Sequence, residues 1–238
     1  YEIGSGLVGS EMCIRDRLAA AFGNTGLHFD YLLFDACFMS SIEALYDLRG
    51  CADRIIASPC EVMAAGFNYT DILPHLLADA GTSYDLPGVC SEYYDYYMNR
   101  ATTKSGCIAL TVTGELEPLA AIVKEIETKY PGKTYDRASL QTYEGLDEHV
   151  FYDLQGYIEA ICDEKDPLLD KFRAQMGKAF PTESRLHTPS FYSVYGLGDA
   201  PNGMHTIEDG KYSGVTTSAP CERFAPEWAQ TSWYRATH

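Results

Sequence analysis

The run Tyr31–Ala36 constrains this chain more than any other stretch, because it is short, apolar and followed at once by a helical pattern. Five of its six residues are apolar, which is typical of a strand buried on both faces of a parallel sheet. Cys37 comes next, at the predicted carboxyl end of the strand. Ligands of open α/β sheets bind in the crevice at that end. The sequence therefore predicts an α/β protein with a cysteine at the ligand-binding edge of its sheet.

The residues after Cys37 predict a strand–helix–strand unit. Ser40 or Ser41 is expected to start a helix, because apolar residues recur at helical spacing after them. Arg54–Ser58 is the next predicted strand, parallel to the first, so the following loop, Pro59–Tyr69, lies at the same sheet edge as the cysteine. Further strands are predicted over residues 107–112, 190–195 and 213–218, and helices over residues 69–78, 89–100, 115–130, 153–162 and 167–180.

Cys37 has a functional and a structural interpretation. A thiol close to a helix N-terminus can have a lowered pKa and act as a nucleophile. Free cysteines are also among the most buried residue types, and this chain has 8 of them. They form neither CxxC pairs nor Cys/His clusters at zinc spacing. No metal site is predicted from them, and most are expected to be buried thiols.

Charge and hydropathy exclude two classes of partner. The net charge of −16 argues against nucleic acid, since phosphate binding needs a basic face, and it fits basic peptides weakly. No apolar run approaches the roughly 18 residues of a membrane span. The chain shows neither an internal repeat nor a clear linker, so we expect a single domain over residues 18–238.

Residues 1–17 differ from the rest of the chain. They show neither strand alternation nor the apolar core of a secretory signal, and they resemble a translated sequencing adapter. We therefore expect a non-native extension there and a parent protein whose native start is missing. The alternative is that Ser10 caps a real helix through Ile14, Leu18 and Phe22.

Five sequence blocks, in a specific order and spacing, carry a resemblance to a known family. They are Phe34–Glu43, Tyr46–Arg49, Ala52–Asp53, Ile56–Ser58 and Gly66–Tyr69. The series resembles the core of the clostripain-like cysteine peptidases, most densely over residues 18–78. The resemblance implies a caspase-like three-layer αβα sandwich with a mostly parallel central sheet, here incomplete at the N-terminus.

The resemblance also implies a function. Clostripain-like enzymes are endopeptidases that cleave peptides or proteins after Arg or Lys through a Cys–His dyad, and Cys37 falls on the family's nucleophile. A bacterial parent that is secreted or held at the cell surface is implied, with a signal that this chain does not carry. No cofactor is expected, although calcium is allowed by family analogy. The alternative is a non-catalytic binding or fold-only relative in which Cys37 is a packed thiol.

The dyad histidine is expected to be missing from this chain. In the family it precedes the cysteine in a His-Gly motif, and no His-Gly occurs here. His28 lies nine residues before Cys37, which is roughly 30 Å along an extended strand and excludes a direct contact. The resemblance assigns no base to the later histidines. We therefore expect residues 1–238 alone to be inactive as a peptidase.

Asp35 and Glu61 are the candidate substrate-binding residues. Alternation along the strand puts Asp35 on the same side as Cys37, and a buried carboxylate is costly unless it is paired. By resemblance, the matching aspartate binds the basic side chain before the cut. The alternative is an aspartate hydrogen-bonded to nearby backbone. Some family members place a second acid just before Gly66; here that residue is Ala65, which leaves Glu61 as the nearest carboxylate.

Overall fold

The computed structural model describes residues 17–77, 83–195 and 201–238, in which helices surround a four-stranded sheet. The strands are β1 (Leu32–Leu33), β2 (Arg54–Ala57), β3 (Cys107–Val112), β4 (Tyr152–Asp153), β5 (Arg185–His187), β6 (Ser190–Tyr192), β7 (Met204–Thr206) and β8 (Thr216–Thr217). Residues 17–25 are helical (α1). The other helices are α2 (Ile42–Leu48), α3 (Tyr69–Leu76), α4 (Leu86–Asp95), α5 (Leu116–Lys129), α6 (Leu154–Ile161), α7 (Pro167–Ala179), α8 (Ala225–Trp228) and α9 (Ser232–Thr237).

The central sheet has the strand order β1-β2-β3-β5 and is mixed in direction. The predicted parallel pair is confirmed, with Leu32 opposite Ile55. The pairs β2–β3 and β3–β5 are antiparallel, so the described sheet is less parallel than predicted. The reason lies in the connections. A single helix, α2, carries the chain back to the end of the sheet at which β1 began, so β2 runs parallel to β1. Two helices, α3 and α4, bring the chain to the end of the sheet at which β2 finished, so β3 runs antiparallel to β2.

Helices cover both faces of this sheet. Ile55 and Ala57 of β2 face a core built with α2, α5, α6, α7 and α9. Ile56, between them, faces the opposite core with α3 and α4. Successive side chains of a strand point to opposite faces, so these three residues show helices on each side. The predicted three-layer αβα arrangement is confirmed.

Helix α2 follows the predicted pattern. Ser41 is its N-cap, and the Ala44 amide donates to the Ser41 Oγ at 3.3 Å. Ile42 and Leu45 are fully buried on the face that packs against the sheet. The cap satisfies a backbone amide that the first turn leaves without a helical partner. The start of the helix after the cysteine is therefore fixed by one serine hydroxyl.

Strand β1 corrects the prediction for residues 31–36. Regular pairing covers only Leu32 and Leu33, which are half-buried, and Asp35 is exposed. Among the described residues β1 pairs with β2 alone and forms the edge of the sheet, so one side of its backbone has no neighbouring strand. The Phe34 amide still donates to the Ile56 carbonyl at 2.9 Å. The apolar run therefore forms a short edge strand rather than a fully buried one.

The strand predicted over residues 107–112 is found with the predicted bounds, and the other remaining helices and strands are found with shifted ends. The helix predicted from residue 89 starts at Leu86 and ends at Asp95, and a π-helical turn over Tyr96–Arg100 follows. The strand predicted over 190–195 is limited to β6, and the one over 213–218 to β8, while β4, β5 and β7 were not predicted. The predicted extension at residues 1–17 lies outside the described residues except for Arg17. Within the described ranges, none of the helices has the length and apolar character needed to cross a membrane.

Asp166, the N-cap residue of α7, makes the stability of the fold depend on pH. Its Oδ1 accepts the Leu168 amide at 3.0 Å, and its Oδ2 accepts from Lys129 Nζ at 2.5 Å and from the Tyr130 hydroxyl. The Lys129 ammonium, followed by the Tyr130 hydroxyl, lowers the pKa of Asp166 to about 2. A lowered carboxyl pKa stabilises the fold above the unfolded-state pKa, and this contribution is lost as pH falls through the folded-state value.

We expect Asp166→Asn to lower the free energy of unfolding at pH 7, because Asn keeps the cap and removes the charge. The difference from wild type should shrink between about pH 4 and about pH 2, where the native carboxylate also becomes neutral. Urea unfolding at pH 7 and pH 2.5 measures it. Asp170→Asn, in the same helix with a carboxylate that is 85% exposed, is the control. An equal loss at both pH values would contradict this account.

Candidate active site

Cys37 lies in the turn that follows β1, against the loop that follows β2. Its Sγ accepts the Val62 amide at 3.3 Å. The side chain is half-buried, whereas the other six described cysteines are buried. The carboxyl ends of two parallel strands meet at one sheet edge, so this contact places Cys37 beside the predicted loop Pro59–Tyr69.

The turn that presents Cys37 is held by Phe38. This residue has a left-handed backbone with φ 58°, which costs a bulky side chain about 1–2 kcal/mol. Two contacts hold it in place. Its amide donates to the Cys60 carbonyl at 3.1 Å, and its ring stacks on Phe151 with centroids 4.5 Å apart. Local packing therefore imposes the direction in which Cys37 points.

The loop that carries Phe151 is fixed in turn by the buried carboxylate of Glu144. Oε1 accepts the amides of Val150 at 2.7 Å and Phe151 at 3.1 Å, and Oε2 accepts from His149 Nδ1 at 2.7 Å. The hydrogen bond that His149 donates to Glu144 raises the pKa of His149. The Phe151 ring, which supports Phe38, thus belongs to a loop held by the buried Glu144 carboxylate. The hydrogen bonds to this carboxylate offset the cost of burying its charge.

The Cys37 thiol is not activated in this arrangement. Burial raises its pKa, the nearby Glu61 charge raises it further, and the Val62 amide lowers it. The lowered pKa that a helix N-terminus can produce is therefore not found at Cys37. Helix α2 begins only at Ile42, five residues after the cysteine, while dipole effects are confined to the first turn. At neutral pH Cys37 is held mainly as the thiol.

The described residues include all six histidines, and none of them hydrogen-bonds to Cys37 Sγ. His28 pairs with Asp53, and His75 pairs with Asp85. The other four are engaged elsewhere: His149 with Glu144, His187 with the Thr188 carbonyl, His205 stacked on Phe191 and His238 with Thr237. Within the described chain the thiol has no imidazole partner.

Asp35 is exposed, which corrects the prediction of a buried carboxylate. Its Oδ2 accepts the Tyr69 hydroxyl at 3.0 Å and the Phe67 amide at 3.5 Å. The carboxylate packs so closely on Gly66 that a Cβ there would lie 2.5 Å from Oδ2, and this glycine also has φ +60°. Among the described residues Oδ1 has no hydrogen-bond partner. The Phe67 amide on Oδ2 fits the alternative of an aspartate hydrogen-bonded to backbone. The oxygen without a partner, Oδ1, fits the role of binding a basic side chain of the substrate.

Glu61 is directed at the loop after β6. Its Oε1 accepts the Ser193 hydroxyl at 2.7 Å and the Val194 amide at 2.8 Å. These bonds leave only Oε2 without a hydrogen-bond partner in the described residues. Glu61 therefore ties the Pro59–Tyr69 loop to a distant segment of the chain.

Ser193 is a site residue that sequence reasoning missed. It is fully buried, and its Oγ donates to Glu61 while accepting the amides of Gly145 at 3.1 Å and Tyr195 at 3.2 Å. One hydroxyl thus joins the two loops that contact the Cys37 turn. The partners lie 132 and 48 residues away along the chain, so no local pattern could have indicated them.

The described residues hold no cluster of three or more His, Cys, Asp or Glu side chains that could bind a metal ion. Calcium dependence stays a prediction from the family resemblance.

We expect Ser193→Ala to lower the free energy of unfolding by about 1–3 kcal/mol, because it leaves the buried Gly145 amide without its partner and removes one of the two donors to Glu61 Oε1. Urea unfolding measures the change. Ser139→Ala removes an exposed serine and should change stability by less than about 0.5 kcal/mol. A loss at Ser193 no larger than at Ser139 would contradict the role of this hydroxyl.

Comparison with solved structures gave three informative matches. A clostripain from Bacteroides thetaiotaomicron ATCC 29148, in complex with the peptide inhibitor BTN-VLTK-AOMK, has 34% identity and a TM-score of 0.81 over 94% of each chain. A secreted C11 cysteine protease from Bacteroides thetaiotaomicron has 35% identity and a TM-score of 0.82, covering 94% of this chain and 60% of that one. A B. fragilis cysteine protease has 27% identity and a TM-score of 0.81, covering 94% and 92%.

A search among curated proteins gave no match. The comparison with family models agrees with the solved structures. The model of the Clostripain family matches residues 12–205. Together with the structural matches, this confirms the caspase-like α/β fold class that the sequence predicted. The chain belongs to the clostripain family of cysteine peptidases.

Proposed function

We propose that this chain supplies the nucleophile and the substrate-binding acid of a cysteine endopeptidase that cleaves after Lys or Arg. One observation carries the proposal. Cys37 lies in a turn whose direction is fixed by packing, and two residues before it Asp35 keeps one carboxylate oxygen without a hydrogen-bond partner among the described residues. A nucleophile beside an exposed carboxylate suits a peptide with a basic side chain before the bond that is cut.

The reaction follows from the thiol. A base removes the Cys37 proton, Sγ attacks the peptide carbonyl carbon, and a C–S bond forms. The C–N bond then breaks as the amine leaves with a proton, and water hydrolyses the thioester to regenerate the thiol. The raised pKa of Cys37 makes the base essential, since little thiolate is present at neutral pH.

We propose that this base is a histidine in a part of the parent protein outside residues 1–238. The family resemblance places it before the cysteine in a His-Gly motif, and every histidine of this chain is engaged away from Cys37. General acid–base assistance is worth roughly 10²–10⁴ in rate. Residues 1–238 alone should therefore be nearly inactive as a peptidase.

Two relatives support the substrate class and the location. The inhibitor bound to the B. thetaiotaomicron clostripain is written BTN-VLTK-AOMK, and its peptide letters end in lysine. A second relative is described as secreted, which supports a parent that is secreted or held at the cell surface. Peptides or proteins with an accessible Lys or Arg are the substrates that this proposal names.

A lysine-ended peptidyl chloromethyl ketone tests the nucleophile, because Sγ displaces its chloride faster when the peptide seats the warhead beside the thiol. Mass mapping should find the adduct on Cys37 before any other described cysteine. The rate should keep rising above about pH 8.5, the ordinary thiol pKa. Asp35→Asn should slow this reaction about fivefold, since an exposed ion pair is worth up to about 1 kcal/mol, and should leave the iodoacetamide rate unchanged.

Asp30→Asn is the matched control, because Asp30 is also exposed and also accepts a tyrosine hydroxyl, from Tyr84 at 2.9 Å. It should leave both rates unchanged. First labelling at Cys51 or Cys221 would instead favour a fold-only relative in which Cys37 is a packed thiol. Rapid peptide cleavage by residues 1–238 without an added His-Gly segment would show that the base lies within this chain.

A further inference from the structure

We propose that Tyr69 makes the pocket at Asp35 select lysine over arginine, by occupying the carboxylate oxygen that a guanidinium would need. This inference rests on the proposed function and deepens it. It assigns a specificity-determining role to a tyrosine hydroxyl that the sequence analysis did not single out.

The two oxygens of Asp35 are not equivalent. Oδ2 receives two donors, the Tyr69 hydroxyl at 3.0 Å and the Phe67 amide at 3.5 Å. A carboxylate oxygen offers about two acceptor sites, so these donors fill Oδ2. Oδ1 has no hydrogen-bond partner among the described residues. A ligand therefore meets a carboxylate with one free oxygen.

The residues around Asp35 hold its carboxylate in this orientation. Gly66 packs directly on the carboxylate, and its carbonyl accepts the buried Tyr97 hydroxyl at 2.8 Å. Tyr69 is the first residue of α3, and the residue as a whole is 46% exposed. The ring lies 6.4 Å from that of Phe67. The hydroxyl is thus presented to Asp35 from a helix start, at a surface that a substrate can reach.

The two basic side chains differ in what they need from a carboxylate. Arginine gains its advantage from a planar fork that binds both oxygens through two parallel hydrogen bonds. Lysine is a compact charge that needs one acceptor. With Oδ2 filled, a guanidinium loses its second bond, while an ammonium can bind Oδ1 and turn another proton toward the Tyr69 oxygen, which still has free lone pairs.

The neighbouring loop has no second acid directly before Gly66, where the residue is Ala65. Glu61 has one carboxylate oxygen, Oε1, held by Ser193 and Val194, so within the described residues only its Oε2 is without a hydrogen-bond partner. In this pocket, selection between the two basic side chains therefore depends on how many oxygens Asp35 presents. Removing the Tyr69 hydroxyl frees one acceptor site on Oδ2.

The test compares two peptidyl chloromethyl ketones that differ only in ending with Lys or Arg, each reacted with residues 1–238. The ratio of the two labelling rates at Cys37 should favour Lys about threefold, the worth of about one ordinary hydrogen bond. Tyr69→Phe keeps the ring and should bring the ratio close to one or reverse it. Tyr84→Phe removes the comparable hydroxyl at Asp30 and should leave the ratio unchanged.

Iodoacetamide labelling of Cys37 distinguishes a change in the pocket from a change in the thiol, because iodoacetamide does not bind in the pocket. An unchanged iodoacetamide rate in Tyr69→Phe shows that the turn around the thiol is intact. A wild-type preference for Arg, or a ratio that Tyr69→Phe leaves unchanged, would overturn the role of Tyr69 while leaving the nucleophile in place. Failure of both peptide labels to reach Cys37 in any variant would overturn the proposed function itself, and this inference with it.

Discussion

The parallel pairing between the segments around β1 and β2 is the interaction on which the site depends. It extends beyond the short strands through the Phe34 amide on the Ile56 carbonyl and the Phe38 amide on the Cys60 carbonyl. It ends with the Val62 amide on Cys37 Sγ. Each of these hydrogen bonds fixes the alignment of the two segments for the bond that follows it. The pairing of the edge segment at β1 with the inner segment at β2 thereby decides where the thiol lies and which loop lies beside it.

This pairing also explains why the thiol is positioned but not activated. The same contacts that fix Cys37 half-bury it, and burial raises its pKa. Within the described part of the chain, the donor on Sγ is the neutral Val62 amide, which does not offset burial and the Glu61 charge. A nucleophile with these properties needs a base brought to it. Under the proposed function, this chain positions the thiol and the substrate-binding acid, and a histidine outside residues 1–238 transfers the proton.

Sequence reasoning identified what local patterns encode. The apolar runs gave the parallel pair, and the serine before α2 gave the helix start after the cysteine. Asp35 was misjudged because the apolar composition of residues 31–36 indicates burial but not whether a strand is central or at an edge. Glu61 was identified as a nearby acid, yet its partner Ser193 could not be, since contacts across 132 residues leave no periodic signal.

A crystal structure of residues 1–238 joined to a lysine-ended chloromethyl ketone peptide would show whether Cys37 attacks the substrate and Asp35 binds the lysine. The account predicts a thioether bond to Cys37 Sγ, with the lysine ammonium about 2.8 Å from the Oδ1 of Asp35 and the Tyr69 hydroxyl still on Oδ2. An adduct on another cysteine, or a lysine side chain directed away from Asp35, would contradict it.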